Sequence, residues 1–208
     1  MAMLAALNFD EATHTYSVPV PCATGGIVQH VVPGVTSICR VLPNDYGNVS
    51  PEVLAVAAER GKATHKAIEL DCLGMLDESS IHDKIRPYFT QWRLFMALSG
   101  FKPHKEFVER PMYSQRYGFA GTPDLPGELP GERVLIDAKN TAVIPRTVGP
   151  QTGGYEIVYR ENSGETRPIR RYALHLTATS WRLVLQKDPD DMRVFLSALN
   201  ILKWSLRK

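Results

Sequence analysis

The chain has 208 residues, of which 44% are hydrophobic and 22% are charged, with a formal net charge of +2. This hydrophobic fraction is too high for a disordered chain, and no apolar run reaches the roughly 20 residues that span a membrane. Three scattered cysteines, Cys22, Cys39 and Cys72, form no CxxC pair and no metal-binding spacing. We therefore expect free thiols in a reducing cytosol, and residues 1–10 lack the basic start of a secretory signal.

The net charge hides an asymmetry along the chain. Residues 1–138 carry 12 Lys and Arg against 16 Asp and Glu, which leaves −4. Residues 139–208 carry 12 against 6, which leaves +6, and eight of those cations are arginines. Arginine favours bidentate contacts with phosphate, although a solvated basic surface explains the same composition equally well.

The N-terminal half predicts strands followed by helices. Residues 7–18 suggest two strands around a turn, and the apolar run 27–32 ends at a Pro-Gly turn. Residues 36–42 fit either a short helix or a continued strand, and residues 44–48 fit a loop. Two helices are then expected, one from Ser50-Pro51 to a stop at Gly74, and one over 81–98, which Pro87 kinks or starts.

The C-terminal half predicts strands, a helix, a hairpin and a final helix. Alternation indicates three strands, at about 105–113, 116–125 and 133–138, with a Pro- and Gly-rich turn over 126–131. The remaining elements are a helix over 150–160, a hairpin of 171–177 and 181–186, and a last helix over 189–206 that Asp188 caps. This order indicates an α/β fold with a mixed central β-sheet flanked by helices.

We expect a single domain over residues 1–208. Its parts are N-terminal strands and a loop in 1–50, a core in 51–160, and a C-terminal hairpin and helix in 161–208.

Two short segments place acids or a histidine where they can carry chemistry. His65 and Glu69 are four residues apart in a predicted helix, so they share one face as a metal-binding pair or as a surface hydrogen bond. Asp124 ends an apolar, glycine-rich stretch, where a carboxylate costs free energy unless it is paired or binds a cation. A turn-capping role explains Asp124 as well.

Two further segments lie later in the chain. Asp137 and Lys139 project from the same face of a predicted strand. Beside Asp124, they form either an oxygen-rich site for a divalent cation such as Mg²⁺ or a salt bridge at a strand end. Gln151 and Tyr155, four residues apart, would present an amide and a phenol to one site.

The ordered set of motifs resembles the PD-(D/E)XK nuclease superfamily, above all its RecB-type and lambda-exonuclease-like branches with their phage-encoded members. The matching motifs are GxxxH at 61–65, GTPD at 121–124, DAK at 137–139 and QxxxY at 151–155. The stretches 9–16 and 32–37 are also similar to phage members. The resemblance implies a restriction-endonuclease-like core.

The resemblance assigns roles to individual residues. It implies that Asp124 and Asp137 are metal ligands and catalytic acids, and that the Ala138 carbonyl and His65 complete the ligand set. It implies that Lys139 orients or activates the attacking water. Glu69 and Glu106 have less certain counterparts as supporting acids. Gln151 and Tyr155 match a signature that contacts the substrate or braces the site.

The chain departs from the family pattern at three points. Asp137 replaces the commoner Glu, and Gly153-Gly154 is unusual inside the QxxxY helix. No cysteine follows Cys72, so we expect no iron–sulphur cluster.

The resemblance implies a metal-dependent DNA exonuclease that uses one or two Mg²⁺ (or Mn²⁺) ions, in phage recombination or DNA end-processing. We expect arginines of the C-terminal part to contact phosphates, namely Arg146, Arg160, Arg167, Arg170 and Arg171. The alternatives are an endonuclease of the same fold, a catalytically silent nucleic-acid-binding or inhibitory protein, and a chance motif match. Expected partners are double- or single-stranded DNA and a single-strand annealing or binding protein, in a bacterial or phage-infected cytoplasm and away from membranes.

Overall fold

The computed structural model describes residues 7–22, 25–43 and 49–207. Its N-terminal part contains three strands and a short helix: β1 (Asn8–Asp10), β2 (Thr15–Pro21), β3 (Ile27–Val32) and α1 (Val35–Cys39). The predicted strands are confirmed, and the ambiguous stretch 36–42 begins as a helix. The loop predicted at 44–48 lies outside the described residues.

Two helices follow, α2 (Pro51–Leu73) and α3 (Arg86–Ser99). Ser50 caps α2, because its side chain accepts a hydrogen bond from the backbone N–H of Val53, and Gly74 ends the helix in the left-handed conformation at φ 73°. Pro87 lies in the first turn of α3, so it marks the start of that helix rather than a kink. None of the helices in the described ranges combines the length and apolar character needed to cross a membrane.

The rest of the chain forms a central sheet with further helices. In chain order its elements are β4 (Lys102–Pro103), β5 (Met112–Ser114), β6 (Phe119–Gly121), β7 (Leu125–Leu129), β8 (Glu132–Lys139), α4 (Val148–Ser163), β9 (Ile169–Leu176), β10 (Trp181–Gln186) and α5 (Asp191–Ser205). The five-stranded sheet has the order β10-β9-β8-β7-β4. Only β8 and β9 pair in parallel there, so the sheet is mixed as predicted.

Three local predictions are wrong. The turn predicted over 126–131 is mostly strand β7, and only its end turns, at Gly131 with φ 84°. Position 127 of this strand needs a glycine, because a Cβ there would lie 2.5 Å from the Lys102 carbonyl oxygen of the neighbouring β4. The strand predicted at 105–113 begins as a 3₁₀ turn over Lys105–Phe107, and α5 starts two residues later than predicted, after Asp190.

The sheet is covered on both sides, and β8 shows how. Its alternate residues Val134, Ile136 and Ala138 pack with Trp92 and other residues of α2 and α3, whereas Leu135 packs with residues of α1, α4 and α5. The carboxyl end of β8 is therefore held from both sides. A third cluster anchors the N-terminal strands on β6.

Candidate metal centre

The end of β8 and the residue before β7 bring two acidic side chains together. Leu125 lies opposite Ile136 in the antiparallel register, so the next positions outward are Asp124 and Asp137. Both side chains are buried, and Asp137 is 0% exposed. The backbone N–H of Ala138 donates to Oδ2 of Asp124 over 2.8 Å, which fixes this carboxylate at the end of the strand.

Helix α2 supplies a histidine to the same place. Nε2 of His65 lies 2.9 Å from the Ala138 carbonyl oxygen, and Nδ1 lies 3.0 Å from Oε1 of Glu109 and 3.5 Å from Oδ2 of Asp124. Burial lowers the pKa of His65, but the two carboxylates outweigh it and raise this pKa to about 10. Without a bound cation, these carboxylates and the Ala138 carbonyl oxygen favour the protonated ring, which can donate from both nitrogens.

Glu109, the acid that contacts His65, is absent from the sequence-based candidates. Its backbone is left-handed at φ 46°, and its N–H donates to the carbonyl oxygens of Pro123 and Asp124 over 3.1 and 3.2 Å. Such strained conformations occur often at functional sites. The predicted supporting acid Glu106 instead lies exposed on the 3₁₀ turn three residues earlier. No local pattern marks Glu109, since its position depends on this turn of the backbone.

Lys139 completes the acidic end of β8. Its Nζ lies 2.6 Å from Oδ2 of Asp137. Apart from this ammonium, no described residue gives a hydrogen bond to either buried oxygen of Asp137. Burial raises the pKa of Asp137 to about 6 against the effect of Lys139, and burial raises the pKa of Asp124 to about 6 against the effect of His65. The hydrogen bonds and opposite charges around these two carboxylates thus do not fully offset the free-energy cost of burying their negative charge.

The donor set fits a metal ion. One ligand atom from each of His65, Glu109 and Asp124 lies within 4.8 Å of the others, so these three residues could hold a cation. The under-bonded oxygens of Asp137, opposite Asp124 in the strand register, offer further capacity. Carboxylate oxygens with one imidazole suit Mg²⁺ or Mn²⁺.

A clamp between α2 and β8 sets the position of the histidine. Nδ2 of the buried Asn140 donates to Thr64 Oγ1 over 2.9 Å and to the Arg60 carbonyl oxygen over 3.3 Å. In return, Nη2 of Arg60 donates to the Asn140 carbonyl oxygen over 3.0 Å. These bonds join the turn of α2 that precedes His65 to the residue that follows Lys139.

A cleft of about 620 Å³ opens above this site. One wall is the first half of α2, where Leu54, Ala57, Ala58 and Gly61 present small or apolar groups. Eight further lining residues are polar or charged, namely Thr36, Arg40, His65, Lys139, Asn140, Thr141, Thr147 and Gln151. Arg40 is exposed, and it was not among the residues predicted to bind substrate.

The residues of the QxxxY motif lie on α4 beside the site. Nε2 of Gln151 donates to the Tyr155 hydroxyl over 3.1 Å, and Gln151 lines the cleft. Tyr155 is buried, and burial together with Asp124 and Asp137 raises its pKa well above the ordinary value. Gln151 therefore reaches the cleft, whereas the buried Tyr155 holds the Gln151 side chain through this hydrogen bond.

The remaining candidates are Glu69, Arg146 and Arg160. Glu69 is half-buried and pairs with Lys66 over 2.9 Å. Arg146 is exposed in the segment before α4. Nη2 of Arg160 lies 2.8 Å from Oε1 of Glu156, and its Nη1 donates to two backbone carbonyl oxygens.

The other three predicted arginines are paired with acids of the same chain. Arg167 contacts Glu165 over 2.8 Å, and Arg170 contacts Glu132 over 3.0 Å. Arg171 contacts Glu156 and Asp191, over 3.4 and 3.2 Å. Arg170 and Arg171 lie opposite Val134 and Leu135, whereas the Lys139 end of β8 lies opposite His175. The fold does not gather these arginines around the acidic cluster.

Comparisons with known proteins add distant structural similarity. No protein-family model and no curated protein matches the sequence. A crystal structure of a protein from Eubacterium rectale named "Putative exonuclease" aligns with 72% of this chain and 65% of its own, at 13% identity and a TM-score of 0.45. The alignment thus spans less than two thirds of that protein, and similarity at this level carries no argument about activity.

Proposed function

We propose that the protein hydrolyses phosphodiester bonds of DNA with Mg²⁺ or Mn²⁺ as cofactor. The observation that carries this proposal is the juxtaposition of two buried carboxylates, Asp124 and Asp137, with the ammonium of Lys139, 2.6 Å from Asp137. Lys139 and the adjoining Ala138 also line the cleft, so a substrate in the cleft meets this group directly.

The acidic cluster would hold the cation through Asp124, Asp137, the Ala138 carbonyl and His65, with Glu109 as a further acid. A bound divalent cation polarises a phosphate and lowers the pKa of a bound water. Coordination by His65 requires loss of a ring proton, because a protonated nitrogen has no lone pair to donate. Glu109, 3.0 Å from Nδ1, would fix the orientation of that ring.

The chain's own cations would act on the phosphate. Lys139, held by Asp137, would orient the attacking water and offset the charge that develops on the phosphate. Arg40 and Gln151 would contact the neighbouring part of the strand, since both line the cleft. The small residues of α2 on the opposite wall would allow a nucleic-acid strand to approach closely.

Among DNA hydrolases we favour an exonuclease for phage recombination or end-processing, because the ordered motifs resemble the RecB-type branch. An endonuclease would use the same residues, and the choice depends on how the cleft admits a strand. A silent binding or inhibitory protein is less favoured, since Asp124, Asp137 and Lys139 are all present. In the favoured role the protein would act in a bacterial or phage-infected cytoplasm, beside a single-strand annealing or binding protein.

The test is a cleavage assay on end-labelled linear DNA and on closed circular DNA, with Mg²⁺, Mn²⁺ or EDTA. We expect metal-dependent loss of linear DNA only, and loss of this activity in Lys139→Ala. The matched control is Lys187→Ala, because Lys187 is an exposed lysine outside the cleft. Nicking of circles would favour the endonuclease. Absence of metal-dependent cleavage of any DNA would disprove both enzymes, and DNA binding without cleavage would support the silent protein.

A further inference from the structure

The edge of the sheet that carries Lys139 continues into β9 and β10. Lys139 lies opposite His175 in the parallel register of β8 and β9, and His175 lies opposite Arg182 in the antiparallel register of β9 and β10. Residues paired directly across neighbouring strands project from the same face of a sheet. The three side chains therefore form one row. Because neighbouring strands lie about 4.8 Å apart, Lys139 and Arg182 are separated by about 10 Å across the sheet.

The middle residue of this row holds the outer one. His175 is 2% exposed, and Nη2 of Arg182 donates to its Nδ1 over 3.1 Å. A guanidinium only donates hydrogen bonds, so the ring proton is on Nε2, which donates to the Thr141 carbonyl oxygen over 2.7 Å. Thr141 lines the cleft. Two consecutive hydrogen bonds thus connect the guanidinium of Arg182 to the wall of the cleft.

Arg182 differs from most arginines for which the sequence predicted phosphate contacts. Ion pairs with acids engage Arg167, Arg170 and Arg171. Among the residues that the structure describes, no Asp or Glu forms an ion pair with Arg182, which is exposed and bonded to a histidine ring. β10 is the outer strand of the sheet, where an exposed charge also protects the edge. Edge protection alone does not require the buried His175 that orients this charge.

We propose that Arg182 binds a backbone phosphate of the nucleic-acid strand whose scissile phosphate lies at Lys139. This inference rests on the proposed function, because Lys139 marks where the reacting phosphate would lie. Each strand of a duplex carries a phosphate roughly every 3.4 Å along the helix axis, so about 10 Å corresponds to about three phosphates. A strand that leaves the cleft past Thr141 would therefore present a phosphate to the guanidinium, whose fork of donors matches two phosphate oxygens.

Fluorescence anisotropy with a labelled duplex in EDTA, at several salt concentrations, measures this contact without cleavage. Loss of one phosphate contact makes the slope of log K against log salt shallower by about 0.9. We expect Arg182→Gln to show this change and to weaken binding by about 3- to 10-fold. Glutamine still offers a donor to His175, so the fold should persist. Arg182→Lys keeps the charge and should retain the wild-type slope.

Arg170→Gln is the matched control, because Arg170 also has an exposed side chain on the β9–β10 hairpin but pairs with Glu132. It should leave the slope unchanged. A wild-type slope in Arg182→Gln overturns the inference. An equal change in Arg182→Gln and Arg182→Lys also overturns it, because the bond to His175 rather than the charge would then matter.

The cleavage assay on linear and circular DNA separates this inference from the proposed function. A wild type that cleaves DNA, with an unchanged slope in Arg182→Gln, overturns only the phosphate contact. A wild type that binds DNA through Arg182 but cleaves none overturns only the enzyme.

Discussion

At the scale of single residues, burial of the acidic cluster lowers the stability of the fold. Asp137 is buried with the Lys139 ammonium as its described partner, and burial raises its pKa to about 6. A carboxylate held in this way favours the proton or a cation over the bare charge. Functional sites commonly carry such a cost in folding free energy.

This cost predicts the behaviour of Asp137→Asn without metal. The folded pKa lies above the ordinary value of 3.8 for an aspartate. The protonated side chain therefore contributes its full stability below about pH 4, and this contribution is lost as the pH rises through about 6. An asparagine at position 137 carries no charge, so the variant does not lose stability in this way as the pH rises. At pH 7 the variant should therefore be more stable by about 1 kcal/mol or more, a rise in Tm of roughly 2–4 °C.

Thermal unfolding in EDTA at pH 5 and pH 7 measures the effect. The variant should show a smaller drop in Tm between the two pH values than the wild type. Asp83→Asn is the control, since that side chain is 93% exposed and should change neither value. A lower Tm for Asp137→Asn at pH 7 would contradict the argument.

Glu109 gives a second prediction at this scale. Because Glu109 holds Nδ1 of His65 at 3.0 Å and belongs to the group of donors, Glu109→Gln should weaken Mn²⁺ binding by about 10- to 100-fold. Calorimetric titration with Mn²⁺ measures this affinity. Glu106→Gln, three residues away on an exposed turn, should bind as the wild type does, and equal affinities for both variants would remove Glu109 from the site.

Sequence patterns identified part of this site and missed the rest for a physical reason. Strand alternation placed Asp137 and Lys139 on one face, and the structure brings both to the cluster with Asp124 and His65. Glu109 and Asn140 were not predicted from the sequence, because their contacts form where a left-handed turn and a strand end meet α2. Such contacts join distant parts of the chain and leave no periodic signal.

At the scale of elements, the glycines of α4 explain a motif that looks unfavourable for a helix. A Cβ on Gly154 would lie 2.6 Å from the ring of Phe195, and one on Gly153 would lie 3.2 Å from the Met192 backbone. The glycines therefore let α5 pack directly on α4. Sequence predicted the helix itself but not its reason, since the neighbour lies about 40 residues later in the chain.

This packing predicts that Gly154→Ala destabilises the protein. The added methyl group must displace a fully buried phenylalanine ring, at a cost of about 1–3 kcal/mol. Gly61→Ala is the matched control, because its nearest atom is 3.6 Å away and alanine favours a helix by up to about 1 kcal/mol. Urea unfolding compares the two, and wild-type stability for Gly154→Ala would show that α5 can move away without cost.

At the scale of the whole molecule, the structure changes the meaning of the uneven charge. The C-terminal part carries a balance of +6, yet Arg160, Arg167, Arg170 and Arg171 contact acids of the same chain. Arg40 and Lys139 line the cleft instead. These four of the eight C-terminal arginines are therefore engaged by acids, and the +6 balance of this part does not by itself place a basic surface at the cleft.

This distribution predicts a weak salt dependence of DNA binding. With few phosphate contacts, the slope of log K against log salt should be about −2 to −4, since each contact contributes about −0.9 on duplex DNA. Fluorescence anisotropy with a labelled duplex in EDTA measures the slope without cleavage. Arg40→Ala should make it shallower by about 1, whereas Arg170→Ala should leave it unchanged, because Arg170 pairs with Glu132. A slope of about −6 or steeper, made shallower by Arg170→Ala, would mean that the C-terminal arginines leave their acidic partners to bind DNA.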